Sequence, residues 1–245
     1  MTVPLPGVSE LARRLRALGW VTELYVGGSA ATGDYLPGVS DLDLVALVDG
    51  PVDADRQAVL AALHADLDRG AAAGADLGCV YVPQPQLPEP ATLHPTWTHG
   101  RLVHRILSGI ARAELVHHGY AVFGRPPQET LPTMDSDDVR RAAQAELTGY
   151  WARAAAQPWW WLDPVLAELG LTAMARGRHA LATGRLLSKS AAIDVAHAPP
   201  WLLERLRARR RGEAVPLPRL RTAGIAWLDA RRTTAAARRW TAPTR

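Results

Sequence analysis

LYVGGSAATGDYLPGVSDLDLVALV, residues 24–48, is the stretch around which the chain is organised. Leu24 and Val26 lead into Gly27-Gly28-Ser29. Eleven residues then separate Ser29 from Asp41, and Asp41-Leu42-Asp43 opens a second apolar run that reaches Val48. The pattern predicts a strand, a tight turn of small residues, a short connection and a second strand. Side chains on a strand alternate between faces. Asp41 and Asp43 are therefore expected on one face, with Cα atoms roughly 6.6 Å apart, and Leu42 and Leu44 on the other. Two carboxylates on one face are hard oxygen donors suited to Mg²⁺. The Gly-Gly-Ser turn offers backbone N–H groups and a hydroxyl, which suit phosphate oxygens.

The rest of the composition sets limits. A chain of 245 residues, 48% hydrophobic, suits one large or two small globular domains. The longest apolar runs fall far short of a membrane span, and the start MTVPLPGVSELARRL has no basic segment followed by an apolar block. Cys79 is the single cysteine, which excludes an intrachain disulfide and a Cys-based zinc site. A cytoplasmic protein is expected. The net charge of +4 is uneven: Trp201 to Arg245 holds twelve Arg against three acids, leaving sixteen basic and twenty-one acidic residues before it. An acidic front suits a metal ion and a cationic small molecule. No RNA-binding motif accompanies the basic tail.

Along the chain, Ser9 to Leu18 predicts a helix, with Leu11, Leu15 and Leu18 on one side. Asp55 to Gly70 predicts a second, and Asp76 to Val82 a third strand. Pro83 to Pro95 predicts an irregular loop, and Arg101 to Val116 a helix with Leu102, Ile106, Ile110 and Ala113 at core spacing. His99 and His104 lie at its start and are read as lid or helix surface rather than metal ligands. Gly119 to Phe123 predicts a short closing strand. From Asp135 onward the chain predicts helices only: one from Asp137, then Val165–Thr183, Arg185–Ala198, Trp201–Gly212 and Thr222–Trp240. Of Trp159, Trp160 and Trp161, at least one is expected to line a cleft rather than the core.

The Gly-Ser turn, the gap and the Asp-x-Asp strand resemble the nucleotidyltransferase superfamily with the DNA polymerase β-type catalytic domain. The resemblance implies an α+β chain: a catalytic domain over residues 1–130, with a mixed sheet flanked by helices, then an all-helical domain over 131–245 that binds substrate and ATP. It also implies a third carboxylate on a neighbouring strand, for which Asp76 is the candidate, as metal ligand or general base. A second passage narrows the match. Arg176, Ala182, Thr183-Gly184, Lys189 and Ala192 resemble the aminoglycoside adenylyltransferases that modify streptomycin and spectinomycin. Carried over, Gly28 and Ser29 would hold the triphosphate of ATP, Asp41 and Asp43 would bind Mg²⁺, Asp76 would act as base, and Arg176 and Lys189 would contact the phosphates.

The resemblance thus implies Mg²⁺-dependent transfer of AMP from ATP to a hydroxyl of a cationic drug, by a chain expected to be monomeric. There are departures. Asp76 stands where the small-molecule transferases frequently have glutamate. The acidic residue that binds the drug before the Arg-bearing helix is met only by Asp163, about three residues early, and by nearby Glu168. The aromatic that stacks on adenine has no counterpart, and Arg209-Arg210-Arg211 occupies its region. Another small molecule, a protein or an RNA as acceptor, or a non-catalytic nucleotide-binding homologue, remain the alternative readings.

Overall fold

The computed structural model describes residues 5–87 and 91–241; residues 1–4, where the N-terminal reading began, and 88–90, within the Pro-rich stretch, lie outside that set. The chain divides into two compact units, Met1–Thr133 and Met134–Arg245.

The first unit runs α1 (Val8–Ala17), β1 (Val21–Val26), α2 (Gly28–Ala31), β2 (Leu42–Val48), α3 (Ala54–Arg69), β3 (Leu77–Pro83), β4 (Leu93–Thr98), β5 (Arg101–Ile106), α4 (Gly109–His118), β6 (Tyr120–Phe123) and α5 (Pro127–Thr130). Its strands form one mixed sheet in the order β5-β4-β3-β2-β1-β6. Only β2 and β3 run parallel; the other pairs are antiparallel. The helix between β2 and β3, α3, provides the crossover that a parallel pair requires. Helices cover both faces, so β2 is apolar nearly throughout once past Asp43. Leu11 and Leu15 of α1 and Leu60 and Leu67 of α3 pack with Leu24, Leu42 and Leu44. On the opposite face Leu107 and Leu115 pack with Val45, Leu47 and Val82.

One polar pair sits inside this core. His64 of α3 is fully buried, with Nε2 2.7 Å from the Tyr81 hydroxyl and its ring stacked on Trp97 at 5.2 Å. Burial pushes its pKa down to about 3, so the imidazole is neutral at ordinary pH.

The stretch after Pro83 differs from the sequence expectation. Leu93–Thr98 and Arg101–Ile106 are the two strands of a hairpin, and the helix begins only at Gly109, where the Ser108 side chain accepts a hydrogen bond from Ala111 N. The spacing of Leu102 and Ile106 is shared with the true helix further on, which drew the two segments into one. The connecting residues His99 and Gly100 both have positive φ, 48° and 71°, the backbone of a two-residue hairpin turn. His99 therefore sits at a hairpin tip and His104 on β5. Pro95 is tolerated in β4 because the hydrogen-bonded pairing with β3 spans only Cys79↔Trp97 and Val80↔Thr96.

The second unit is helical. α6 (Ser136–Glu146) opens with a capping box made by Asp135 and Asp138, passes through a π-helical turn at Leu147–Trp151, and ends as α7 (Ala152–Ala155). A 3₁₀ turn over Pro158–Leu162 precedes α8 (Pro164–Thr183), which is followed by α9 (Lys189–Asp194), α10 (Pro200–Arg210) and α11 (Arg219–Arg239). α9 is shorter than the predicted Arg185–Ala198 helix, because the Ser188 side chain caps it by accepting from Ala191 N. Trp161 is the core tryptophan of the run: fully buried, it donates its indole N–H to Ala154 O and lies against Gly170, where a Cβ would come 2.3 Å from its ring. Trp159 and Trp160 are exposed. Among the described residues no helix is long and apolar enough to cross a membrane.

Candidate active site

The turn after β1 is closed by Gly27 N, which donates to Asp43 O at 2.8 Å. Gly28 has φ +53°, and a Cβ there would lie 2.0 Å from Asp43 Oδ2. Only a residue without a side chain lets the turn and the carboxylate approach so closely. Ser29 follows in the short α2, 5% exposed, and its hydroxyl has no hydrogen-bond partner among the described residues. The loop back to β2 is tied by Asp34 N donating to Ser29 O and by Leu36 N donating to the buried Ser40 hydroxyl. Leu42 and Leu44 are buried and Asp43 is exposed, the alternation expected at the head of this strand.

β3 runs beside β2 with Leu42↔Leu77 and Asp43↔Gly78 in register, and Leu42 N donates to Asp76 O at 3.2 Å. Asp41 and Asp76 thus stand at adjoining strand entrances. Asp76 has an unusual backbone, with φ 28°. Its carboxylate faces the hairpin tip, 3.7 Å from His99 Nδ1. Asp76 and His99 are the two non-glycine residues with positive φ among those described, and both side chains are more than half exposed. The residue that pairs with Asp43 is therefore Gly78, which carries no side chain.

Asp43, Gly28 and Gly78 open onto a cleft of roughly 300 Å³ that is also lined by Thr98, Arg105 and Glu114. α4 passes directly beside the turn: a Cβ on Gly27 would come 3.2 Å from Leu115 Cδ2. Neither Glu114 nor the meaning of Gly78 is among the sequence expectations. The register of β3 against β2 is the signal that finds the glycine, and the packing of α4 on the turn is the one that finds the glutamate. Cys79, next to Gly78, is fully buried, and burial pushes its thiol up to about 12, so it is no nucleophile. Among the described residues no group of three His, Cys, Asp or Glu side chains is gathered to hold a metal ion.

In the second unit, Arg176 Nε donates to Leu187 O at 2.8 Å, two residues before Lys189, the first residue of α9. Arg176 thus reaches the turn that leads into Lys189. The acids considered for the drug are engaged locally. Asp163 caps α8 by accepting from Val165 N, and Glu168 accepts from Arg209 Nε at 2.7 Å. Arg209 belongs to the segment where the resemblance implies an adenine-stacking aromatic.

A glycine turn pressed against an Asp-x-Asp strand, in a mixed sheet with helices on both faces, is the arrangement that the sequence resemblance implies. Residues 8–78, within the first unit, match the family model of the nucleotidyltransferase domain. The chain as a whole is similar in fold to the spectinomycin adenyltransferase AAD(9) from Enterococcus faecialis, solved with ATP and spectinomycin. The TM-score is 0.68 at 15% sequence identity, over 95% of this chain and 98% of that one. No curated protein sequence matches the chain.

Proposed function

We propose that the protein is an adenylyltransferase that moves AMP from ATP to a hydroxyl of an aminoglycoside or aminocyclitol drug of the streptomycin and spectinomycin type. The observation that carries this is the approach of Gly28 to Asp43, beside the unpartnered Ser29 hydroxyl. A phosphate chain on the turn meets backbone N–H groups and that hydroxyl. The carboxylates of Asp41 and Asp43 at its edge fit a hard divalent cation and would hold Mg²⁺, which when bound neutralises charge on the phosphates. ATP and spectinomycin are also the molecules bound by the similarly folded AAD(9).

The chain's own part in the reaction is positioning. The Gly28-Ser29 turn orients the triphosphate so that an acceptor hydroxyl lines up with the α-phosphorus. The acceptor oxygen bonds to the α-phosphorus, the bond to the β-phosphate oxygen breaks, and pyrophosphate leaves. A carboxylate near the acceptor takes its proton, the role expected of Asp76 from the sequence. The acidic excess before Trp201 suits a polycationic acceptor. A monomer in the cytoplasm is the setting we infer.

The test is mass spectrometry of reactions with Mg²⁺, ATP and a drug panel containing streptomycin and spectinomycin. The expected product is one drug heavier by AMP, made by the natural chain and not by Asp41→Asn or Asp43→Asn. Equal product from either variant would overturn the assignment of the two aspartates. Gly78 supports a second reading, a nucleotide-binding homologue without turnover, because the strand beside Asp43 brings no carboxylate of its own. Mg²⁺-dependent ATP binding with no product from any acceptor would favour it.

A further inference from the structure

We infer that Glu114, from α4, is the carboxylate that receives the acceptor proton in this protein, in place of one on β3. The inference rests on the adenylyl-transfer reading above. Residues paired across parallel strands point to the same side of the sheet, so a carboxylate at position 78 would stand beside Asp43 over the cleft. That position is glycine. Asp76, two residues earlier, turns its carboxylate to His99 and does not line the cleft. Of the described acidic residues, Asp43 and Glu114 are the two that do. They reach it from different layers, Asp43 from the sheet and Glu114 from the helix that packs on the Gly27 turn. An acceptor held between them has its hydroxyl next to the metal-binding edge on one side and next to a proton acceptor on the other. The Glu114 carboxylate takes the hydroxyl proton as the oxygen bonds to the α-phosphorus and pyrophosphate departs. No other reactant is needed.

Gly78 makes this testable. Its backbone is not in the left-handed region, and a Cβ there would meet Trp97 O at 3.6 Å and Leu42 O at 3.7 Å, which are ordinary contacts. A Cβ can be placed at position 78 without displacing its neighbours. Four proteins are compared with Mg²⁺-ATP and spectinomycin or streptomycin: the natural chain, Glu114→Gln, Gly78→Glu and the double variant. Fluorescent-ATP binding and thermal melting are measured on each. Loss of a positioned general base lowers turnover on the order of 10²- to 10⁴-fold. We expect Glu114→Gln to fall by at least about 100-fold with ATP binding and melting unchanged, and Gly78→Glu to restore at least about tenfold when added to the Glu114→Gln variant. Natural-level turnover by Glu114→Gln would overturn the assignment and leave the adenylyl-transfer reading intact. So would an inactive natural chain that becomes active with Gly78→Glu. No product from any of the four overturns the reaction itself, and Glu114 falls with it.

Discussion

Replacing Gly28 by alanine isolates the contact on which the site is built. Two costs follow from the geometry. The backbone at Gly28 is left-handed, which costs an alanine about 1–2 kcal/mol. The new Cβ would also lie 2.0 Å from Asp43 Oδ2, whereas carbon and oxygen settle no closer than about 3.3 Å even in favourable contacts. The carboxylate must retreat by more than about 1 Å, and misplacement on that scale costs a transferase about 100-fold. Gly19 separates the two effects. Its φ is +76°, and a Cβ there would meet nothing within 4 Å. Gly19→Ala thus carries the backbone cost alone. Both variants are expected to melt a few degrees lower, by roughly 3–8 °C for about 1–2 kcal/mol in a unit of this size. Gly28→Ala alone is expected to lose AMP transfer, by about 100-fold or more. Differential scanning calorimetry and product mass spectrometry on the same preparations give both readouts. If Gly28→Ala transfers AMP as well as Gly19→Ala, the close approach of turn and carboxylate has no catalytic meaning and the reasoning is refuted.

Three further outcomes follow from other parts of the chain. His64 is neutral in the fold and titrates near its ordinary 6.5 when unfolded, so its contribution is present above that pH and is lost as pH falls toward about 3. Between pH 7 and pH 5 this term amounts to about 2 kcal/mol, and urea titrations should show His64→Gln losing that much less than the natural chain over the same interval. Ser29→Ala removes a buried hydroxyl that has no partner, so melting should hold or rise slightly while the KM for ATP increases; an unchanged KM removes the hydroxyl from the phosphate site. In the second unit, Arg178 Nη1 lies 2.6 Å from the buried Asp229 carboxylate and also donates to Thr233 Oγ1. Asp229→Ala leaves that guanidinium without its counter-charge and should cost about 3 kcal/mol, read as an early helical unfolding step in calorimetry.

The turn and the two aspartates were legible because their signals are local. Gly28 and Ser29 are small where an approach is needed, and Asp41 and Asp43 interrupt an apolar run at a spacing of two. The helices of the second unit were legible from their apolar spacing, from the acidic first turn at Asp137 and Asp138, and from breakers such as Gly184, Pro199 and Pro200. The hairpin of β4 and β5 was hidden by Pro95, which reads as a breaker, and by an Ile106 whose spacing fits the helix that follows. The site's other half was not legible at all. Whether Asp76 or Gly78 stands across from Asp43 depends on strand register, since the two lie on the same face and differ only by a two-residue slip. Glu114 becomes part of the cleft only because α4 crosses beside Gly27, a long-range packing fact with no trace in the neighbouring residues.

Gly78 also has a meaning on the scale of descent. Every glycine codon is a single base away from a codon for aspartate or glutamate, and at position 78 the backbone is not left-handed and a Cβ meets only ordinary contacts. A single base change at this codon therefore puts a carboxylate beside Asp43. Under the proposed transfer, such a change would meet selection directly, with no intermediate step of repair elsewhere in the sheet.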